Sequence, residues 1–437
     1  MRRHTGVHHV MNHKKIGDVY LQKYPNRMYA RDDFYGYENG TWSPMPNIRA
    51  EFWEVAAAME KTSPTSSIVT SVVDYVKGIV YKQDADVDRH GRMINMQNGV
   101  LDLDTGNMYA HSPDYLFTSQ LGFAYDSDSD CPRWKEFIDQ VLVADTGERD
   151  SQMGAFIQEA FGYSLTASVE HETSFWLIGS GANGKSTMLR VLNALGGSSV
   201  LHLNLGLLDQ DKYQLAQMGG KRIVICSEAP DTTVADSTLK AIISGDAMNV
   251  RSIYGRPFVI KPCAKVWWAM NNPPRVMDTS EGFWRKMRAI PFNRSFAMEE
   301  RDRQLIGKLL EELPGIFNWA LAGLKRLELE GFFTECDQIE DATDQYRDES
   351  DTIKQFVDEC CTRIMSGRTA AVELYQAYYA WAKENGHRPM TSQRAGREWK
   401  RIGLRGRRDN KKRYWDGIEL LSPDTVDDLL SEAGRSS

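Results

Sequence analysis

The sequence has no apolar run as long as a membrane span and no cysteine pattern typical of a metal site. Six cysteines are spread over 437 residues without a C-x-x-C pair, so we expect reduced thiols and no zinc site. The basic residues at the N-terminus are followed by no apolar segment, which argues against a signal peptide. These absences favour a cytoplasmic protein without a membrane partner.

The overall charge does not indicate a nucleic-acid partner, because 60 acidic residues outnumber 53 basic ones and give a net charge of -7. Residues 388–413 depart from this balance, with eleven basic side chains against two acidic ones. A helix at 391–402 with Trp399 and Ile402 facing inward, followed by a basic hairpin at 405–414, is typical of a winged helix that binds DNA. The alternative is a charged, solvated face. The predicted DNA contacts here are Arg394, Arg397, Lys400, Arg401, Arg405, Arg407, Arg408, Lys411, Lys412 and Arg413.

Residues 179–186 read G-S-G-A-N-G-K-S and match the phosphate-binding pattern G-x-x-x-x-G-K-[ST]. An apolar segment at 175–178 predicts a buried strand before them, and apolar residues at helical spacing predict a helix from Lys185 onward. Glycines let the backbone converge on phosphate oxygens, Lys185 adds a charge, and the Ser186 hydroxyl can bind Mg²⁺. We therefore predict a nucleoside triphosphate site. Its predicted contacts are Gly179, Ser180, Gly181, Ala182, Asn183, Gly184, Lys185, Ser186 and Thr187.

Alternating strand and helix patterns after this loop predict a parallel sheet with helices on both faces. The apolar strand at 221–228 ends in Glu228, which we predict to orient the attacking water and to help hold Mg²⁺. Ser227 stands where many proteins of this wider class have an aspartate, so a second carboxylate ligand is not expected. The strand at 265–271 ends in Asn271, a candidate hydrogen-bond partner of the terminal phosphate or of water. A simple Asn-Pro turn is the alternative.

Two predicted hairpins offer further candidate sites. Residues 245–261 predict two strands joined at an aromatic and basic tip. There Arg251, Tyr254 and Arg256 suit single-stranded nucleic acid, although an ordinary solvated turn fits the same residues. The other hairpin carries Asp102 and Asp104, a spacing that primases use to hold two metal ions. Since leucines alternate with these acids, we favour a structural role beside a turn.

The motifs come in the order and spacing of superfamily 3 helicases. The sequence most resembles the C-terminal half of phage and plasmid primase–helicases, which poxvirus primase–helicases share. The resemblance covers about residues 30–420. The segments that carry it are G-S-G-A-N-G-K-S-T, the strand ending at Glu228, S-G-D at 244–246 with Arg251 and Tyr254, N-N-P-P at 271–274, and G-F-W-R ending at Arg285.

This resemblance implies a ring, usually a hexamer, that translocates 3′ to 5′ along single-stranded DNA and binds ATP with Mg²⁺ between subunits. Arg285 would reach in from the neighbouring subunit as an arginine finger, a contribution worth about 10³–10⁵ in rate in related NTPases. Lys240 would sense phosphate from the same side. The other subunit would supply Lys185, Ser186, Glu228 and Asn271.

We predict an α/β fold built around an AAA+-type P-loop NTPase core, a parallel sheet with helices on both faces. The predicted order is a flexible tail at 1–25, a mainly helical domain with hairpins at 26–165, the core at 166–335, a winged-helix module at 336–420 and a tail at 421–437. Four histidines in the first segment fit a mobile tail better than a metal site. The segments given above leave too few residues for a complete primase domain. We therefore expect a separate primase or replication initiator as a partner.

The predicted function is that of an ATP-dependent DNA helicase acting on single-stranded and forked DNA. It would serve replication of a phage, plasmid or integrated element in the host cell cytoplasm. An origin-binding initiator that ATP switches without unwinding is one alternative. A small-molecule kinase with a phosphate loop is another, which Asn271 and Arg285 argue against. A residual primase activity through Asp102 and Asp104 is the third.

Overall fold

The computed structural model describes residues 12–421 except 60–62, 205–207, 209–211, 227–235, 252–256, 272, 275, 277–279, 388 and 410–411. The chain divides into two compact units. The first comprises residues 1–275 and 285–340, and the second comprises residues 276–284 and 341–437. Within the described ranges, no helix is both long enough and apolar enough to span a bilayer.

The first unit begins with helices and small antiparallel sheets. In chain order these are α1 (His13–Lys23), β1 (Arg27–Ala30), β2 (Asp33–Glu38), β3 (Thr41–Pro44), α2 (Ile48–Met59), α3 (Ser66–Val80), β4 (Met93–Met96), β5 (Gly99–Asp102) and β6 (Met108–Tyr109). The three strands β1–β3 form one sheet and β4–β6 another. Asn39 and Gly40 join β2 to β3 with φ angles of 50° and 85°, the left-handed turn that Asn-Gly favours. An Asn-Gly pair between aromatic strand residues predicts a hairpin at this position from the sequence alone, and the structure confirms it.

Helix α1 corrects the prediction of a flexible tail at 1–25 for residues 13–23, while residues 1–11 lie outside the described part of the chain. The Asn12 side chain accepts hydrogen bonds from the backbone N–H groups of Lys14 and Lys15 and so begins the helix. Ile16 and Tyr20, four residues apart, are both buried, and the Tyr20 ring stacks on Phe52 of α2 at 4.0 Å. Apolar contacts from two residues one helical turn apart therefore hold residues 13–23 in place. The mostly polar composition of this segment does not indicate these contacts.

The chain continues through the central sheet. Its elements are α4 (Pro132–Val141), α5 (Ser151–Ser164), β7 (Ser174–Ile178), α6 (Lys185–Gly196), β8 (Val200–Leu203), α7 (Lys212–Ala216), β9 (Ile223–Cys226), α8 (Asp236–Ser244), β10 (Met248–Arg251), β11 (Pro257–Ile260), β12 (Lys265–Met270), α9 (Glu281–Trp284), β13 (Met287–Pro291), α10 (Leu305–Leu310) and α11 (Leu313–Glu330). The sheet has the order β13-β7-β12-β9-β8, and every neighbouring pair is parallel. The predicted parallel sheet is confirmed, with the strand before the glycine-rich loop in its interior.

Side chains alternate between the two faces of this sheet. Phe175 and Leu177 of β7 belong to a core shared with α4, α5, α6 and α11. Trp176 points to the opposite face, where its ring lies 5.0 Å from that of Trp268 on β12. Both tryptophans are buried, so both faces of the sheet are covered.

Helices α5 and α11 pack closely and join two regions that were predicted as separate domains. A Cβ on Gly162 would lie 2.2 Å from the carbonyl oxygen of Ala320, so the helix backbones nearly touch. The Glu159 carboxylate, 1% exposed, accepts a hydrogen bond from Arg326 Nε at 2.6 Å. Because α5 and α11 share one core, the predicted border between residues 165 and 166 does not separate compact units.

The second unit is built from helices and short antiparallel strands. Its elements follow α12 (Asp337–Ser350) and are α13 (Thr352–Cys360), β14 (Cys361–Thr362), β15 (Arg368–Ala370), α14 (Ala371–Glu384), α15 (Ser392–Arg401), β16 (Arg405–Arg408), β17 (Arg413–Asp416) and β18 (Glu419–Leu420). Strands β15, β17 and β16 form an antiparallel sheet in that order. The Trp399 ring of α15 packs edge-on against Trp415 of β17 at 5.5 Å, which ties the helix to the hairpin.

Candidate nucleotide site and nucleic-acid surfaces

The glycine-rich loop, residues 179–184, connects β7 to α6 in a conformation that requires glycine. Gly184 has a φ of 95°, and a Cβ there would lie 2.6 Å from Val141 Cγ1. A Cβ on Gly179 would lie 2.6 Å from the carbonyl oxygen of Phe292. Helix α6 begins directly after Gly184 without a side-chain cap, so its first N–H groups keep their capacity to bind an anion.

Lys185 lies buried at the start of α6, with 4% of its surface exposed. Its Nζ donates hydrogen bonds to the carbonyl oxygen of Gly179 at 2.6 Å and to Asn183 Oδ1 at 3.0 Å. Burial lowers the pKa of this ammonium group to about 8. A desolvated cation whose partners are neutral oxygens is suited to an incoming polyphosphate.

Asn271 reaches this lysine from the neighbouring strand. Strands β7 and β12 are parallel, with Met270 opposite Ile178, so the residues after them emerge at the same edge of the sheet. Lys185 Nζ donates a hydrogen bond to Asn271 Oδ1 at 3.3 Å. The structure thus brings together these two predicted site residues, which lie 86 positions apart in the chain.

The segment after β13 covers the glycine-rich loop, a feature that sequence patterns did not indicate. The backbone N–H of Phe296 donates to the carbonyl oxygen of Ala182 at 2.9 Å, and Ser295 Oγ lies 3.0 Å from Ser180 Oγ. A cavity of about 540 Å³ opens beside this contact. Its lining comprises Arg133, Glu136, Phe137, Gln140, Ala182, Gly184, Thr187, Phe296, Glu300, Arg301, Asp302, Leu305 and Lys308. These residues come from distant parts of the chain and share no sequence motif, so only the fold reveals them.

Arg285 lies at the other end of the sheet. Strand β13 runs parallel to β7, with Met287 opposite Ser174 and Pro291 opposite Ile178. The turn before β13 is therefore separated from the glycine-rich loop by the length of the strand, about 13 Å. The Arg285 side chain is 65% exposed and lies 3.6 Å from the Glu172 carboxylate. The structure does not bring Arg285 to the loop of its own chain.

Several predicted residues fall outside the described part of the chain, namely Glu228, Tyr254, Arg256 and Lys411. The two strands of the hairpin that carries Tyr254 and Arg256 are present as β10 and β11, which pair antiparallel. Lys240 lies half-buried on α8.

Arg251 ends β10 and is exposed. Its Nη2 donates a hydrogen bond to the hydroxyl of Tyr213 on α7 at 3.2 Å, and its guanidinium lies 5.9 Å from that ring. Tyr213 is 40% exposed and was not singled out from the sequence, because a lone tyrosine on a short helix carries no pattern. This pair places an aromatic face beside a cation, which suits a stacked base next to a phosphate.

The basic residues of the second unit divide into two groups. Arg405, Arg407 and Arg408 lie exposed along β16, and the predicted helix and hairpin around them are both present. Trp399 is buried, as predicted. Further exposed basic residues are Arg397 and Lys400 on α15, and Lys412 and Arg413 at the hairpin, while Arg394 is half-buried.

Arg401 differs from these residues. Its Nη2 contacts Asp351 Oδ2 at 2.5 Å and its Nε contacts Glu398 Oε2 at 2.6 Å. With two carboxylates around it, this guanidinium stabilises the start of α13 and the end of α15. These contacts favour a structural role for Arg401 over the predicted DNA contact.

Asp102 and Asp104 hold a turn. Asp102 Oδ1 accepts a hydrogen bond from the Asp104 backbone N–H at 2.9 Å, and this bond lowers the pKa of Asp102. Asp104 pairs with Arg92 at 2.8 Å. Among the described residues, no group of three or more His, Cys, Asp or Glu side chains is arranged to hold a metal ion. The favoured structural interpretation of the two acids agrees with these contacts.

Two family models match this chain. Residues 1–143 match the family described as D5 N terminal like, and residues 177–288 match a family of unknown function, DUF5906. The second match contains the glycine-rich loop, Asn271 and Arg285.

Three viral proteins are similar in sequence. "Putative helicase L207/L206" of Acanthamoeba polyphaga mimivirus is 23% identical over 331 residues, which is 69% of this chain and 34% of that protein. "Putative helicase 022R" of Frog virus 3 is 22% identical over 53% of this chain and 26% of its own length. "Putative helicase 184R" of Invertebrate iridescent virus 6 is 23% identical over 61% of this chain and 30% of its own length. The chain thus covers between about a quarter and a third of the length of these viral relatives.

The fold is also similar to solved structures of the NrS-1 C-terminal region in its apo state. One has a TM-score of 0.53 at 11% identity and covers 93% of this chain and 98% of that region. Another has a TM-score of 0.53 at 11% identity and covers 92% and 98%. The chain is thus similar over residues 1–143 to the D5 N terminal like family, over parts of its length to three viral putative helicases, and in fold to the NrS-1 C-terminal region.

Proposed function

We propose that this chain is an ATP-driven DNA helicase with an AAA+-type motor core that hydrolyses ATP with Mg²⁺. The observation that carries the proposal is the shared position of Lys185 and Asn271 at the uncapped start of α6. A triphosphate there would replace the neutral oxygens around Lys185 and accept hydrogen bonds from the loop backbone. Ser186 would bind Mg²⁺, and Glu228 would orient the attacking water.

The position of Arg285 supports a ring of identical subunits. An exposed arginine at the amino end of β13 cannot serve the triphosphate of its own chain, because the strand separates them. It can serve a neighbour whose glycine-rich loop faces that end of the sheet. Hydrolysis would then depend on contact between subunits. The rate at each nucleotide would change with the position of the next subunit.

Two surfaces are proposed to contact DNA. In the first unit, Arg251 and the hairpin β10–β11 would track single-stranded DNA. In the second unit, β16 and α15 would contact phosphates of the forked duplex. The helicase names of the viral relatives support this substrate, and the proposed role is replication of a viral, phage or plasmid element.

Strand displacement on a forked DNA tests the proposal, with Lys185→Ala as the matched inactive variant. We expect ATP-dependent displacement on a fork with a 3′ arm, and none with Lys185→Ala or with a non-hydrolysable ATP analogue. ATP-dependent binding without displacement would contradict the helicase proposal and favour an initiator. Hydrolysis that single-stranded DNA fails to stimulate would favour a small-molecule kinase instead.

A further inference from the structure

The turn that carries Arg285 is held by a buried lysine. Lys286, the next residue, is 6% exposed, and its Nζ contacts the Glu172 carboxylate. The same ammonium donates a hydrogen bond to Ser244 Oγ at 2.7 Å. Because Glu172 also lies 3.6 Å from Arg285, one carboxylate is shared between the buried lysine and the exposed arginine.

The backbone of this turn is fixed as well. The carbonyl oxygen of Lys286 accepts hydrogen bonds from the Ser174 backbone N–H at 2.8 Å and from Ser174 Oγ at 2.9 Å. Arg288 Nη1 donates to the carbonyl oxygen of Arg285 at 2.9 Å. The main chain is thus held from both sides, and Glu172 is the carboxylate that the Arg285 side chain contacts.

Ser244 connects this cluster to the hairpin β10–β11. It is the last residue of α8, and Gly245 follows with a φ of 70° in the turn toward β10. This turn is closely packed, since a Cβ on Gly245 would lie 2.9 Å from Val169 Cγ2 and 3.0 Å from the carbonyl oxygen of Pro262. This close packing leaves the chain between Ser244 and β10 little freedom to rearrange.

We propose that Glu172, Ser244 and Lys286 are positioning residues that couple the hairpin β10–β11 to Arg285. This inference rests on the proposed function, in which the hairpin contacts DNA and Arg285 serves the neighbouring nucleotide. When DNA displaces the hairpin, Ser244 moves relative to Lys286. The contact between Lys286 and the Glu172 carboxylate then changes. Arg285 is then released toward, or drawn back from, the triphosphate of the next subunit.

The sharpest test removes only the Ser244 hydroxyl. Ser244→Ala is compared with Ser237→Ala, an identical change at an exposed position of the same helix. We measure the ratio of ATP hydrolysis rates with and without single-stranded DNA. Coupling energies between sites typically correspond to factors of about 5 to 150, so we expect Ser244→Ala to lower this ratio at least about fivefold. Ser244→Thr, which keeps the hydroxyl, should restore it.

Lys286→Met gives an independent measurement. We expect a lower kcat with an unchanged nucleotide affinity, because Lys286 acts on the arginine that serves the neighbour and not on the glycine-rich loop of its own chain. A variant that loses nucleotide affinity and kcat together would contradict the positioning role. Thermal unfolding identifies a Lys286→Met protein that has lost its fold. In that case the comparison of Ser244→Ala with Ser237→Ala tests the proposal.

The outcomes separate this inference from the proposed function. If DNA stimulates the wild type and Ser244→Ala keeps the ratio of Ser237→Ala, the coupling is wrong while the motor stands. If DNA does not stimulate the wild type, the proposed function fails and the coupling fails with it.

Discussion

At the scale of residues, Lys185 is the side chain on which the proposed phosphate site depends. The ammonium is buried and is held by oxygens of the glycine-rich loop and of Asn271. Burial disfavours the charged form, and the neutral oxygens do not offset this fully, so its pKa is lowered to about 8. A bound triphosphate would favour the charged form and raise that pKa.

This difference predicts a pH dependence of ATP binding. Below about pH 8 the lysine is already charged, so affinity should be nearly constant; above it, binding must take up a proton, and affinity should fall by up to about tenfold per pH unit. Calorimetry in two buffers with different ionisation enthalpies measures the uptake directly. We expect close to one proton at about pH 9 and much less at about pH 7.5. Equal uptake at both values would show that Lys185 does not change its charge on binding.

The glycine-rich loop provides a matched pair of substitutions. Gly184 has a left-handed φ and no space for a Cβ, whereas Gly181 has no neighbouring atom within 4 Å and no left-handed φ. We expect Gly184→Ala to lower the free energy of unfolding by about 1–3 kcal/mol, and Gly181→Ala to change it far less. Chemical denaturation of the two variants checks this. Equal losses would mean that the loop conformation is not set by Gly184.

At the scale of elements, local patterns predicted most of what positions the site. The motif at 179–186, the apolar strands and the Asn-Gly turn are short-range signals, and the structure has these elements where they were expected. Helix α1 was missed because its burial depends on Phe52 and Tyr75, which are distant in sequence. The contact between Phe296 and the glycine-rich loop was missed for the same reason, since no local pattern encodes a long-range backbone hydrogen bond.

The hairpin β16–β17 gives a prediction about DNA. Replacing Arg405, Arg407 and Arg408 by Ala should reduce the slope of log affinity against log salt by about 2 to 3, since each lost phosphate contact removes roughly 0.7 to 0.9. Binding measurements at several salt concentrations test this. Arg401→Ala is the control, because its guanidinium is bound by Asp351 and Glu398. Arg401→Ala should leave the salt slope unchanged and lower the free energy of unfolding. A loss of slope per arginine equal to that of the triple variant would show that Arg401 contacts DNA.

At the scale of the molecule, the residues proposed to serve hydrolysis lie at opposite ends of the strands of one sheet in the first unit. Lys185 and Asn271 lie at the carboxyl end of the strands, and Arg285 lies at the amino end. The helices α5 and α11 merge the N-terminal region with this sheet into one body. A subunit with the proposed nucleotide site at one end of its sheet and Arg285 at the other can bind copies of itself head to tail. A head-to-tail arrangement that closes on itself is a ring.

Mixing two inactive variants tests this central claim most directly. Lys185→Ala removes the lysine proposed to bind phosphate and keeps Arg285, while Arg285→Ala does the reverse. Each variant alone should hydrolyse almost no ATP. Co-expressed in equal amounts, they should regain activity, because about a quarter of random head-to-tail interfaces join an intact loop to an intact Arg285. A mixture as inactive as its components, or an Arg285→Ala variant as active as the wild type, would contradict a nucleotide site shared between subunits.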